Sequence, residues 1–357
     1  MSALPQILPS PAAAGSTSTP GPMLRVVSGE SRRGLFEEQI SRKPNHYPWT
    51  QEFIDRIWAG FWTPNEFDFK ADYAHFKSDL TDEEREMVVR CLSAIGQIEI
   101  AVKTFWAKLG ENLPHPSISD LGFAMANSEV IHNMAYEKLL DRLQMTDVFE
   151  ENLKNPVVAG RVAYLRKYLA PVYRTDKRKQ YVYAITLFTL FVENVSLFSQ
   201  FYVVLWMNRF RNVLKDTAQQ VQYTRNEEML HAHVGIKIIN TLRAEYPDLF
   251  DAELEARILH ETEEAFRCES ALIDWMVGDY VGDGLDAQIL KDYVANRLNV
   301  SLAAIGFKPS LPVDPVRLEK TRWMDEEALG NNMVDFFNKR PVDYAKKNRT
   351  WNEDDLF

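Results

Sequence analysis

Two tetrapeptides, Glu129-Val130-Ile131-His132 and Glu228-Met229-Leu230-His231, repeat the pattern Glu-x-x-His within segments of helical periodicity. Residues i and i+3 share one face of an α-helix, so each motif aims a carboxylate and an imidazole the same way. Each motif also has a lone glutamate upstream in an apolar run: Glu99, 30 positions before Glu129, and Glu193, 35 positions before Glu228. An ionisable side chain in such surroundings needs a partner, and a metal ion supplies one. The six side chains Glu99, Glu129, His132, Glu193, Glu228 and His231 form the donor set of a dinuclear metal site, written in two halves.

One Glu-x-x-His is common by chance in a long helical chain. Two in the same order, Glu then Glu-x-x-His, make an internal pseudo-repeat and imply a site with quasi-two-fold symmetry. Ferritin-like di-iron and di-manganese bundles use this set, one Glu on each of two helices and one Glu-x-x-His on each of two others. The expected fold is therefore all-α, a ferritin-like helical bundle with a dimetal-carboxylate site in its core. Gly and Pro punctuate long helical segments elsewhere, and no period-2 run of useful length lies between them. A first helix is expected over about 51–61, ending before Pro64. The next starts at Thr81, where Glu84 completes a capping box, and runs to about Gly110 with Glu99 on it. Further helices are expected over about 119–143, from Asn155-Pro156 to near Pro171, around Glu193, and over about 215–244, 251–277 and 285–304.

At 357 residues with 46% apolar content the chain can bury a sizeable core. Its net charge of −10 argues against a nucleic-acid partner, which calls for a basic patch or stripe. Cys91 and Cys268 are far apart in helical patterns, so they read as small buried hydrophobes in a reducing, cytoplasmic compartment. Residues 1–30 are rich in Pro, Ala, Ser, Thr and Gly with no continuous apolar core, which reads as a flexible arm and not a secretory signal. The stretch 181–206 is long and apolar enough to span a bilayer, but Glu193, Asn194, Ser196, Ser199 and Gln200 favour the central helix of a bundle, so no membrane is expected. Residues 31–307 then form the helical domain. From 308 onward Pro309, Pro312 and Pro315 break the pattern, and the chain ends in Trp351-Asn352-Glu353-Asp354-Asp355-Leu356-Phe357. That acidic, apolar-tipped end reads either as a disordered terminus or as a docking peptide.

Oxygen and imidazole donors without thiolate suit iron or manganese, whereas zinc would carry no redox chemistry. Tyr136 lies four residues after His132 and so on the same helical face. A phenol there can be oxidised to a radical; it can equally be a core tyrosine. Resemblance decides between the two. Glu99, the run Ser128-Glu129-Val130-Ile131-His132-Asn133-Met134-Ala135-Tyr136, Glu193 and Glu228-Met229-Leu230-His231 resemble the small, radical-generating subunit of class I ribonucleotide reductase. The likeness extends to Phe61-Trp62-Thr63-Pro64-Asn65-Glu66 and to Phe336-Phe337-Asn338-Lys339-Arg340-Pro341-Val342-Asp343-Tyr344, covering roughly residues 45–357.

The resemblance implies that the dimetal centre oxidises Tyr136, that the hole travels through Trp62 and Tyr344 to a large catalytic subunit, and that the C-terminal tail docks there. Ribonucleoside diphosphates would be reduced on that partner for DNA synthesis, and this chain alone would reduce none. It also implies a homodimer and leaves room for a flavoprotein activator. Three departures stand out. Glu99 replaces an Asp found in many members, Glu227 stands where an Asp commonly links the metal-bound histidine to the tryptophan, and the N-terminal arm has no evident nucleotide-binding pattern. Two iron ions are taken first as the metal pair, and Mn/Mn and Mn/Fe fit the same donors. The competing readings are a ferritin-like dimetal oxidase or monooxygenase and a metal-storage bundle; Tyr136, Trp62, Tyr344 and the docking-like tail argue against the first, and Tyr136 at its spacing argues against the second.

Overall fold

The structure is a computed structural model that describes residues 34–327, apart from Gln97 and the side chains of residues 99–101. The compact unit begins at Gly34. Among the described residues there are helices and no strands, with one isolated bridge between Gly282 and Leu285. The all-α expectation holds, and the reason is visible at the helix starts. Thr81 and Glu84 close the capping box in both directions, at 3.0 and 3.2 Å. Asn155, Asp251 and Asp286 accept backbone N–H bonds at the starts of Pro156–Leu165, Ala252–Val277 and Ala287–Ala304.

Four helical stretches build the centre: Glu99–Ala107, Pro116–Arg142, Lys177–Arg211 and Lys215–Glu245. They pack in two pairs, and a glycine sets each close approach. A Cβ on Gly122 would come within 2.5 Å of the Trp106 carbonyl oxygen, so the second helix can lie against the first only because that atom is missing. On the other side a Cβ on Gly235 would meet Thr189 Oγ1 at 2.1 Å. The single helix expected from Thr81 to Gly110 is instead three pieces, Asp82–Gly96, Glu99–Ala107 and Leu109–Asn112. Glu99 thereby opens a helix of its own.

Lys177–Arg211 is apolar enough to cross a membrane by length and composition, and 89% of its apolar window is buried within the protein. It is the central core helix. Its middle, Phe188–Ser196, is wound as a π-helix, a wide turn that inserts an extra residue and is frequent at functional sites. A π turn leaves backbone oxygens off the regular ladder, and two arginines meet them. Arg161, fully buried, donates to Ser196 O and, at 2.8 Å, to Ala94 O. Arg297 donates to Asn194 O at 2.7 Å and to Asn194 Oδ1 at 2.6 Å. The Arg161 charge is balanced by Glu269 at 3.2 Å, itself fully buried and hydrogen-bonded by Tyr164. Burial pushes the Glu269 carboxyl above its usual range, against the pull of Arg161.

The region after 308 is not simply broken by its prolines. Pro315 opens the short helix Pro315–Glu319, because proline suits a first helical position. Trp323 then sits against Tyr202, donating its indole N–H to the phenol at 3.1 Å.

Arg161→Met should remove the brace and leave Glu269 buried without its cation. A loss of roughly 3–5 kcal/mol is expected, read as a lowered denaturation midpoint. Replacing Arg161 and Glu269 together by apolar residues should restore much of it.

Candidate metal centre

Glu129 and His132 lie one turn apart on Pro116–Arg142, and Glu228 and His231 one turn apart on Lys215–Glu245. Glu193 comes from the π turn. All five are buried, and Glu129, His132, Glu193 and His231 are fully so. One donor atom each from Glu129, Glu193, Glu228 and His231 lies within 4.8 Å of the others. Glu99 opens its helix, but its side chain falls outside the described residues, as do Tyr344, Trp351, Leu356 and Phe357.

The distances are those of ligands around an ion. His231 Nδ1 lies 2.9 Å from Glu129 Oε1, and His132 Nδ1 lies 3.2 Å from Glu129 Oε2 and 3.1 Å from Glu228 Oε1. Two donor atoms held at about 2.1 Å from one ion and at right angles lie about 3 Å apart. Glu129 Oε1, Glu193 Oε2 and both nitrogens of His231 make no well-aligned hydrogen bond among the described residues, and His231 Nδ1 meets the two oxygens only as close ion-pair contacts. Such a set of inward-facing, buried lone pairs fits a metal pair and fits little else.

The carboxylates and imidazoles of the cluster shift one another's proton affinities. Burial opposes charge on His132, yet hydrogen bonds to Glu129, Glu227 and Glu228 hold it well above the usual imidazole range. His231 is likewise held up by Glu129, Glu193 and Glu228 against the cost of burial. Burial first, then the Glu228 charge, push Glu193 well above the carboxylate range. Burial also works against the Glu228 anion, but His132 and His231 outweigh it and pull that carboxyl down.

Around this cluster each indole has a distinct partner. Trp62, buried, donates Nε1–H to Glu227 Oε2 at 2.9 Å, and the same oxygen lies 2.7 Å from His132 Nε2. The longer arm of Glu227 therefore reaches both the imidazole and the indole. A hydrogen on Nε2 leaves the Nδ1 lone pair of His132 directed at the centre. The Trp62 ring lies over His132, centroids 6.2 Å apart at 28°. Its segment is pinned to the Glu129 helix where Lys138 Nζ donates to Pro64 O at 2.7 Å. Tyr136 is buried one turn beyond His132.

Trp106 escaped the reading of the sequence. It donates Nε1–H to Glu193 Oε1 at 2.7 Å, with both residues fully buried. A signal was present, since position 106 is seven after Glu99 and so two turns along on the same face.

The family model for ribonucleotide reductase, small chain, matches residues 39–317. A ribonucleoside-diphosphate reductase subunit beta of Halalkalibacterium halodurans is 21% identical over 327 residues, covering 90% of this chain and 91% of that protein. Among solved structures, the ribonucleotide reductase R2 subunit from Clostridium botulinum superposes with a TM-score of 0.68 at 19% identity, covering 79% of this chain and 88% of the other. An R2-like ligand-binding oxidase with a Mn/Fe cofactor gives 0.61 at 17% identity over 76% and 96% of the two chains.

Imidazole and carboxylate donors bind a metal ion only once deprotonated, so ion binding at this cluster displaces the protons its side chains carry. Affinity for Mn(II) should therefore rise with pH through and above the usual imidazole range, with proton release detectable by calorimetry in buffers of different ionisation enthalpy. Affinity independent of pH would contradict this.

Proposed function

We infer, from the premise that this chain belongs to the ribonucleotide reductase small-chain family, that it is the radical-generating small subunit of a ribonucleoside-diphosphate reductase. The observation that carries the reading is a buried carboxylate and imidazole cluster joined to Trp62 through Glu227. Glu99, Glu129, His132, Glu193, Glu228 and His231 would hold the two ions, with di-iron, di-manganese and mixed Mn/Fe pairs all suited to the donors. When bound and oxidised, such a pair supplies a one-electron oxidant for a nearby phenol.

Tyr136 is the phenol in this reading, held dry on the helix that carries Glu129 and His132. Glu227 fixes the His132 tautomer and holds the Trp62 indole by one shared oxygen, so the imidazole, carboxylate and indole form a continuous path away from the centre. Tyr344 and the C-terminal tail would continue it to the large subunit, where nucleotide reduction takes place. A flavoprotein supplying oxidant to a manganese form belongs to the same proposal. So does a cytoplasmic setting, in keeping with Cys91 and Cys268 both being free.

A dimetal oxidase or monooxygenase needs room for substrate beside the metals. A cleft of about 440 Å³ reaches Glu227 and Ser128 from the surface. For the homodimer, the Glu129 helix presents Phe123, Val130 and Met134 to solvent, an apolar stripe of the kind that marks an interface.

In metal-loaded, oxidised protein, Tyr136→Phe should abolish the tyrosyl electron paramagnetic resonance signal and turnover with the large subunit, while two metals per chain remain. A multiline signal that survives the substitution would place the radical on the metals instead. Phe123→Asp combined with Met134→Lys should shift the sedimentation coefficient from dimer to monomer; an unchanged dimer would place the interface elsewhere.

A further inference from the structure

Two tryptophans donate N–H bonds to carboxylates at the centre, and they do different things. Trp62 holds Glu227, which is not a proposed ligand, whereas Trp106 holds Glu193, which is. We propose that Trp106 is a positioning residue that keeps Glu193 a one-oxygen ligand and so biases which metal ion that position accepts. This deepens the dimetal reading and rests on Glu193 being a ligand.

The two oxygens of Glu193 are not equivalent. Oε1 accepts the indole N–H at 2.7 Å, while Oε2 makes no well-aligned hydrogen bond among the described residues and faces His231 Nδ1 at 3.5 Å. Both partners are fully buried. Turning Oε1 toward a metal would strip a charge-assisted bond from the indole and leave its N–H bare in a dry interior. Nor can the indole follow the carboxylate. Phe105 and Phe188 stand edge-on to it at 5.5 and 5.4 Å, and they stack on each other at 3.7 Å and 13°. Phe188 begins the π turn that carries Glu193, so the ring that wedges the indole and the carboxylate that accepts from it belong to one rigid segment. On the backbone side, the Trp106 carbonyl abuts Gly122.

A carboxylate binding through one oxygen keeps the coordination number low, which suits the smaller of two similar ions; a chelating carboxylate raises it and suits the larger. Without the indole N–H, Glu193 is free to chelate, and preference should move from Fe(II) toward the larger Mn(II).

The test uses full-length protein stripped of metal and titrated without oxygen with Mn(II) and with Fe(II), as wild type, Trp106→Phe and Phe105→Leu. Phe105→Leu keeps the N–H but removes one of the two rings that wedge the indole, so its Mn(II)/Fe(II) affinity ratio should move in the same direction as that of Trp106→Phe but by less. Wild type should bind two ions and sets the reference ratio. Trp106→Phe should also bind two, with the ratio shifted toward Mn(II) by about 10-fold or more. Its metal-minus-apo infrared difference should show a narrower carboxylate splitting, the mark of chelation. An unchanged ratio and splitting in Trp106→Phe would overturn the proposal and leave Trp106 a packing residue. Fewer than two ions in the wild type would instead defeat the dimetal reading beneath it. Should Trp106→Phe not fold, the Trp106 indole proton of wild-type protein loaded with Zn(II) decides. It should stay downfield and protected from exchange; movement to the unbonded position on loading would overturn the proposal.

Discussion

Three carboxylates, Glu129, Glu193 and Glu228, share one buried cluster in the middle of the bundle, and their mutual repulsion has to be neutralised for the helices around them to close. In an apolar interior that repulsion is screened by nothing but the groups themselves. Protonated imidazoles and a protonated Glu193 can carry the balance, and so can two metal ions, whose positive charge the same inward-facing atoms attract.

The scaffold is organised to keep those atoms in place. Gly122 and Gly235 bring the paired helices to a separation that any side chain would prevent. The π turn swings Glu193 into the cluster, and Arg161 and Arg297, anchored on other helices, take up the backbone oxygens displaced by that winding. Trp62, Glu227 and Trp106 orient the ligands from outside. Each layer constrains the one inside it, so a substitution far from the metals, such as one at Arg161, reaches the centre through the geometry of Glu193.

Much of this was legible in the residues. Glu-x-x-His fixes two donors per helix face wherever the helix goes, so the pairing of Glu129 with His132 and of Glu228 with His231 followed from spacing alone. Thr81, Asn155 and Asp251 marked helix starts because caps depend on neighbours in sequence. The π winding of 188–196 left no trace, since its apolar residues serve an α-helix as well. The Arg161 to Glu269 pair joins positions 108 apart and is purely tertiary. The helix Lys70–Ser78 was missed because it buries only Asp72 and Phe76 and so carries no apolar stripe. Glu227 was doubtful from identity alone, because whether one extra methylene reaches or overshoots depends on where Trp62 and His132 sit.

The most direct measurement is anomalous diffraction at the manganese and iron absorption edges from crystals of the metal-loaded protein. Two peaks per chain should lie among Glu129, His132, Glu193, Glu228 and His231, within ligand distance of their inward-facing oxygens and Nδ1 atoms. A single peak, or peaks away from these five side chains, would contradict the dinuclear centre on which the functional reading stands.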